Sequence, residues 1–394
     1  MQRLQRLSVF YALTYLLSIV SADYLPFREH AGASFFDGWA YYGNVDNTTW
    51  GNVTYLDQPG AQTKGLTFIN AAGNAVIKVD NTSTLAPPLA QGDVVNRDSI
   101  RLTSIDTYGI GSLIIIDVLH LPYGCSVWPS FWTYGMQEEW PNAGEIDIIE
   151  GINNMQHNQI ALHTPTGCFQ APNPPQSGTT LETDCSTDRG CIVAETKPNS
   201  FGPGFAQAGG GVYAVQMDTS GIYVWFWSRP DVPMNIQTAT STDKMSLSTW
   251  GMPSAAYPVS ACNVTQYFPP QNLVLLTSLC GAWAAVPDIY QSTCKTPTGS
   301  CFFDNVLGPP SNFDEAYWEV KYVRTYFSED LPRPSSSSSS ISSTPTASAT
   351  QSDASAKSSG KTLTSSAMLS YIFSETSATL TLLFSVVVTS MFWV

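Results

Sequence analysis

Between residues 23 and 332, apolar and polar positions alternate in short runs divided by Gly, Pro, Asn and Ser clusters, a spacing that predicts strands. Residues 99–105 (SIRLTSI) alternate cleanly. Residues 112–121 (SLIIIDVLHL) form a nearly unbroken apolar run, the pattern of a buried strand. Residues 211–217 and 221–228 flank Asp218-Thr219-Ser220 and predict a hairpin. Residues 272–279 and 317–327 complete the clearest set. No helical period of useful length appears, nor any internal repeat or mid-chain linker. One all-β sandwich of antiparallel sheets is therefore expected; a propeller would need a blade repeat of about 40 residues. Residues 165–210, rich in Pro, Gly and Cys, break the pattern. A loop of that length is expected to be functional, as one wall of a cleft.

The stretch GEIDIIEG at 144–151 sets a problem. Its β-branched residues and alternating start predict a strand, with Glu145 and Asp147 on one face and Glu150 on the other. A plain strand makes Glu150 a stray charge. One β-bulge consumes a residue and returns Glu150 to the face of its partners. The α-carbons of Glu145 and Glu150 then lie roughly 13 Å apart instead of ~16 Å, and inward-leaning side chains leave about 5 Å between carboxyls. That separation suits a double displacement at a glycosidic carbon. Crowded carboxylates raise one another's pKa, which helps one stay protonated as an acid while another stays ionised. An exposed acidic stripe is the bland alternative, but three like charges on one face destabilise a sheet, and the interleaved isoleucines predict a buried opposite face. Trp128, Phe131, Trp132, Tyr134 and Trp140 precede this stretch, and His163 follows it. Flat rings among carboxylates suit a carbohydrate site, although any single tryptophan serves equally well as core.

The two ends stand apart from the folding problem. Arg3 and Arg6, an apolar run and Val20-Ser21-Ala22 predict a signal peptide over residues 1–22, too short in its apolar part for an anchor. Residues 333–366 are dominated by Ser, Thr, Ala and Pro and predict an O-glycosylated stalk without a core. Residues 367–394 end in LTLLFSVVVTSMFWV, which predicts a GPI-attachment signal better than a tail-anchored helix. Ser365-Ser366-Ala367 or the segment 358–360 can host its cleavage. A protein secreted and tethered to the outer face of the plasma membrane, or to the cell wall, is expected.

Composition narrows the choice further. Net charge is −14 and the charged fraction only 12%, which argues against a nucleic-acid partner. Eight cysteines, all between 125 and 301, predict disulfides of open connectivity. Zinc is disfavoured because there is no CxxC pair and histidines number four. Sequons at Asn47, Asn52, Asn81 and Asn263 predict N-glycosylation.

The chain resembles glycoside hydrolase family 16 in its bulged E-x-D-x-x-E form, and within it the secreted fungal endo-1,3(4)-β-glucanases of laminarinase type. The likeness rests on FFDGW (35–39), RDSIRLTS (97–104), WPSFWTYG (128–135), WPNAGEIDIIEGIN (140–153), ALHT (161–164), LCGAWA (279–284) and FDEAYWEVKYVRTY (313–326). It implies a β-jelly-roll with a concave substrate cleft over residues 23–332 and a retaining mechanism. It implies Glu145 as nucleophile, Glu150 as acid/base and Asp147 as the residue tuning them. Trp132, Trp140, His163, Trp283 and Arg97 are implied substrate contacts, with Arg101 as the alternative arginine. The substrate implied is β-1,3 or mixed β-1,3/1,4-glucan, taken by a monomer with no required cofactor. Family members sometimes hold a structural calcium, for which no recognisable loop exists here. A wall transglycosylase using the same residues is the competing reading, although fungal chitin–glucan transglycosylases usually carry unbulged E-x-D-x-E. A catalytically dead wall-binding protein is a third, and it predicts loss of a carboxylate that this chain retains.

Overall fold

The computed structural model describes residues 23–90 and 93–331; the expected signal peptide, stalk and GPI signal lie outside the described residues. Two eight-stranded sheets face each other, and every strand pair within them is antiparallel. The sheet that carries the carboxylates runs, in spatial order, Thr179–Thr180, Cys191–Ala194, Gln159–His163, Glu145–Glu150, Val127–Tyr134, Gln271–Leu279, Arg101–Tyr108 and Trp39–Tyr41. The opposing sheet is centred on Ser112–His120, Tyr317–Ser328 and the hairpin Gly211–Asp218/Gly221–Ser228. This is the jelly-roll sandwich, and its longest described helix, Pro287–Cys294, has only 8 residues.

Alternation builds the core. Ile114, Ile116 and Val118 point between the sheets, toward Ile146, Ile148, Ile149, Phe131 and Leu275 from the other layer. Leu113 and Ile115 point outward, where Trp225, Trp227 and Trp250 cover them. The Ser112–His120 strand is apolar on both sides because both of its faces are covered.

The segment 165–210 contains more order than its composition suggests. Cys191–Ala194 and Thr179–Thr180 extend the carboxylate sheet at its edge. The disulfides Cys168–Cys262 and Cys185–Cys191 fasten this region, while Cys125–Cys294 and Cys280–Cys301 fasten the loops near the other end. Residues 99–105 differ from the single expected strand. The chain breaks at Ile100, and Arg97–Ser99 pairs in parallel with Val53–Tyr55 in a separate two-stranded ribbon.

Candidate active site

The Glu145–Glu150 strand carries the bulge. Against Val127–Tyr134 its register slips between Asp147 and Ile149, and against Gln159–His163 between Asp147 and Glu150. Ile146, Ile148 and Ile149 enter the core with no more than 1% exposure. The carboxylates take the outer face, where Glu145 stands opposite Tyr134 and His163 and Glu150 opposite Ser130. Both flanking glycines are required. A Cβ on Gly144 would lie 2.6 Å from the Phe268 ring and the Tyr267 carbonyl, and one on Gly151 would lie 2.6 Å from the Phe201 ring.

Each glutamate has its own indole donor. Trp140 Nε1 donates to Glu145 Oε2 at 2.9 Å, and Trp128 Nε1 donates to Glu150 Oε1 at 2.9 Å. Asp147, 3% exposed, lies between them. His163 Nε2 is 3.4 Å from Asp147 Oδ2 and 3.9 Å from Glu145 Oε1. Behind it a Cβ on Gly190 would meet the His163 ring at 3.0 Å, so the 165–210 segment does back this side of the site. Burial pushes all three carboxyls up, and the Asp147 charge adds to the effect on both glutamates. Glu150 reaches about 8, against the pull of the Trp128 donor. Glu145 also rises, while the charge of His163 and the Trp140 indole favour its anion. The result is a crowded set of carboxyls whose proton affinity is raised by burial, with separate indole donors at its two ends.

Most of the aromatic residues implied by the sequence gather here. Trp132 packs on Tyr134 with ring centroids 5.0 Å apart, and its Nε1 is buried without a partner among the described residues. Trp140 is half exposed and tilted 5.6 Å from His163. Trp283 meets Trp128 edge-on at 5.6 Å. Arg97 is a correction. It is fully buried, donating from Nη1 to the carbonyls of Asp80 and Ser83 and from Nη2 to that of Val306, with Phe313 4.4 Å from its guanidinium carbon. Arg97 holds loops together and faces no cleft. Arg101, on the next strand, lies instead over Tyr42, Trp132 and Tyr134. Trp128 acquires a role that the sequence left open; its place two and four residues before Ser130 and Trp132 was the available signal.

Among the described residues, Glu145, Asp147 and His163 form a group whose ligand atoms lie within 4.8 Å of one another. Two carboxylates and an imidazole fall well short of the six to eight oxygens that calcium takes, so this set does not fit that ion. At the sequons, Asn47 and Asn263 are exposed, whereas Asn52 and Asn81 are half-buried and Asn81 Nδ2 donates to Asp314.

Residues 39–326 match the XgeA-like, catalytic GH16 domain. The chain belongs to glycoside hydrolase family 16. It is 35% identical over 316 residues to a probable glycosidase of Schizosaccharomyces pombe, covering 78% of this chain and 70% of that one. It is 34% identical over 328 residues to a probable endo-1,3(4)-beta-glucanase of Neosartorya fischeri, covering 78% of this chain. The chain spans about half the length of that relative, 48%. Among solved structures, laminarinase 16A of Phanerochaete chrysosporium, with 6-O-glucosyl-laminaritriose in donor and acceptor sites, superposes with a TM-score of 0.71 at 34% identity. The match covers 77% of this chain and 100% of that one. An elongating GH family 16 beta-1,3-glucosyltransferase superposes with a TM-score of 0.68 at 35% identity, over 77% and 99% of the two chains.

Proposed function

We propose that this family 16 protein is an endo-acting, retaining hydrolase of β-1,3 or mixed β-1,3/1,4-glucan. Glu145 attacks the anomeric carbon to form a covalent glycosyl-enzyme while Glu150 gives its proton to the departing glycosidic oxygen. Glu150 then takes a proton from water, which attacks the same carbon and releases Glu145. Asp147 raises the proton affinity of Glu150 through its charge. Trp132, Trp140 and Trp283 offer faces to the sugar rings, and His163 a polar contact. The observation that carries this reading is the slipped register at Asp147–Ile149, with Glu145 and Glu150 each held by a different indole N–H.

The purified protein should release oligosaccharides from laminarin or lichenan, and Glu145→Gln should abolish that release. Activity on neither polymer, or undiminished activity in the variant, would sink the proposal; 1,4-linked cellulose serves as the contrast. No cofactor enters the scheme, so exhaustive treatment with EDTA should leave the rate unchanged.

Transfer of the glycosyl unit to an acceptor hydroxyl is a second reading, favoured by the likeness to the elongating glucosyltransferase. Labelled acceptor oligosaccharides that emerge lengthened would replace hydrolysis with transfer. Both readings suit a monomer secreted and tethered by a GPI anchor, which release from intact cells by a phosphatidylinositol-specific phospholipase would test.

A further inference from the structure

Trp50 is 78% exposed, yet its backbone sits at φ +57°, a left-handed conformation that a bulky side chain adopts only where its surroundings impose it. The imposition comes from its loop. The Asp46 carboxylate accepts the N–H groups of Thr48 (2.9 Å), Thr49 (3.3 Å) and Gly51 (3.0 Å), and the Ser278 hydroxyl at 3.0 Å. Asn52 N–H reaches the Leu279 carbonyl at 2.9 Å, and the Thr49 carbonyl accepts from Ala282 N–H at 2.8 Å. A Cβ on Gly51 would fall 2.0 Å from Ser278 Oγ, so the loop lies flush on the end of the Gln271–Leu279 strand. Among the described residues, no hydrogen bond or ring pair involves the Trp50 indole. A large ring held rigidly in water, in a strained conformation, with no structural partner, is a feature in search of a ligand.

The loop also reaches the candidate site at two points. Asn47 Oδ1 accepts from Arg101 Nη1 at 3.5 Å, and that guanidinium lies 5.7 Å from the Trp132 ring and 6.0 Å from Tyr134. Arg101 is 3% exposed, and its Nε has no partner among the described residues. On the other side, Ala282 immediately precedes Trp283, which packs on the Trp128 that donates to Glu150.

We propose that Trp50 forms a rim subsite, stacking on the apolar face of a glucosyl unit in the same β-glucan chain, beyond the units that the Trp132 and Trp128 region holds. This rests on the glucanase reading and extends it to the length of chain that the protein engages. Because the loop is already fixed, stacking loses little conformational freedom, which is the advantage of holding the ring in a strained position.

The test uses the full chain with Trp50→Ala, Trp50→Phe and Trp50→Gly, assayed on β-1,3-gluco-oligosaccharides of increasing length and on laminarin. With Trp50→Ala, kcat/KM on long chains should fall about 5-fold, the size of one aromatic stacking contact, and progressively less as the chains shorten. Trp50→Phe should recover most of the loss. Trp50→Gly should share the catalytic loss yet melt no lower than the wild type, because glycine adopts φ +57° without strain. No loss at any length, an equal loss at every length, or a lower melting temperature in Trp50→Gly would overturn the proposal. Affinity electrophoresis in laminarin gels, in a Glu145→Gln background, gives a readout independent of turnover. Retardation weakened by Trp50→Ala, together with no release of oligosaccharides by the parent protein that keeps Glu145, would keep the subsite and defeat the glucanase reading; equal migration would defeat the subsite.

Discussion

Asn158 holds both loose ends of the bulge beside Glu150. Its Oδ1 accepts the Glu150 N–H at 2.9 Å, and its Nδ2 donates to the Ile148 carbonyl at 2.9 Å. A bulge removes backbone groups from the ladder, and here one buried carboxamide, 1% exposed, satisfies two of them. The Asn158 N–H is itself fixed to Ser200 Oγ at 3.0 Å. Glu150 faces Glu145 because the bulge exists, and Asn158 stabilises the bulge.

Asn158→Ala should therefore act on turnover through the position of Glu150. It leaves a buried N–H and a buried C=O unpaired, costing about 1–3 kcal/mol each. A displacement of ~1 Å at the acid is enough for a loss of roughly 100-fold in kcat. KM should change little, because no sugar contact is removed. Thermal melting and steady-state kinetics check both parts; a variant that loses only KM would place Asn158 in substrate binding instead.

The two indoles predict opposite signatures in the pH profile. A donor to a carboxylate stabilises its anion, so removing the donor raises that carboxyl's pKa. In the proposed mechanism Glu145 must be ionised and so sets the acid limb, which Trp140→Phe should move to higher pH. In the same mechanism Glu150 must be protonated and so sets the alkaline limb, which Trp128→Phe should move to higher pH. Each shift should be about one pH unit, since a hydrogen bond to a charged group contributes about 1.5–3 kcal/mol and one pKa unit corresponds to about 1.4. The reverse assignment of limbs would exchange the roles of the two glutamates.

Burial of the carboxyls has a consequence for stability. The pKa of Glu150 in the fold, about 8, lies above its ordinary value of 4.5, so folding takes up a proton between those pH values. The native state is favoured by this group at low pH and loses that advantage as pH rises toward 8. Glu150→Gln cannot ionise, so its melting temperature should decline less steeply across that window and exceed the wild type's near pH 8. Each kcal/mol recovered should appear as about 2–4 °C or less in a domain of this size. Parallel melting curves for the two proteins across the window would contradict the raised pKa.

The strands most easily read from the sequence are those whose periodicity is set by burial, such as Ser112–His120 and the Gly211–Asp218/Gly221–Ser228 hairpin. The bulge was legible because three carboxylates with E-x-D-x-x-E spacing cannot share a face on a regular strand. Asn158 was not legible. Nothing local distinguishes it from its polar neighbours, and its role arises only when two strands meet eight residues apart. Cys191–Ala194 and Thr179–Thr180 were hidden for a different reason: they sit within a Gly-, Pro- and Cys-rich segment fastened by disulfides, where alternation is too short to register. Arg97 misled because strand alternation gives a face without saying what covers it. The break at Ile100 assigns Arg97 and Arg101 to different strands, and the loops at Asp80–Ser83 and Val306 close over the first of them.

The location of Arg97 gives the last prediction. Its guanidinium serves three backbone carbonyls at once and lies against the Phe313 ring, a geometry that a planar fork suits and a single ammonium does not. Arg97→Met keeps apolar bulk but leaves those carbonyls without donors, at about 1–3 kcal/mol each, and should lower the melting temperature sharply. Arg97→Lys should fall between, because one ammonium cannot span all three acceptors. At temperatures well below melting, the KM for glucan should stay at its wild-type value in both variants. A raised KM with unchanged melting would return Arg97 to the substrate.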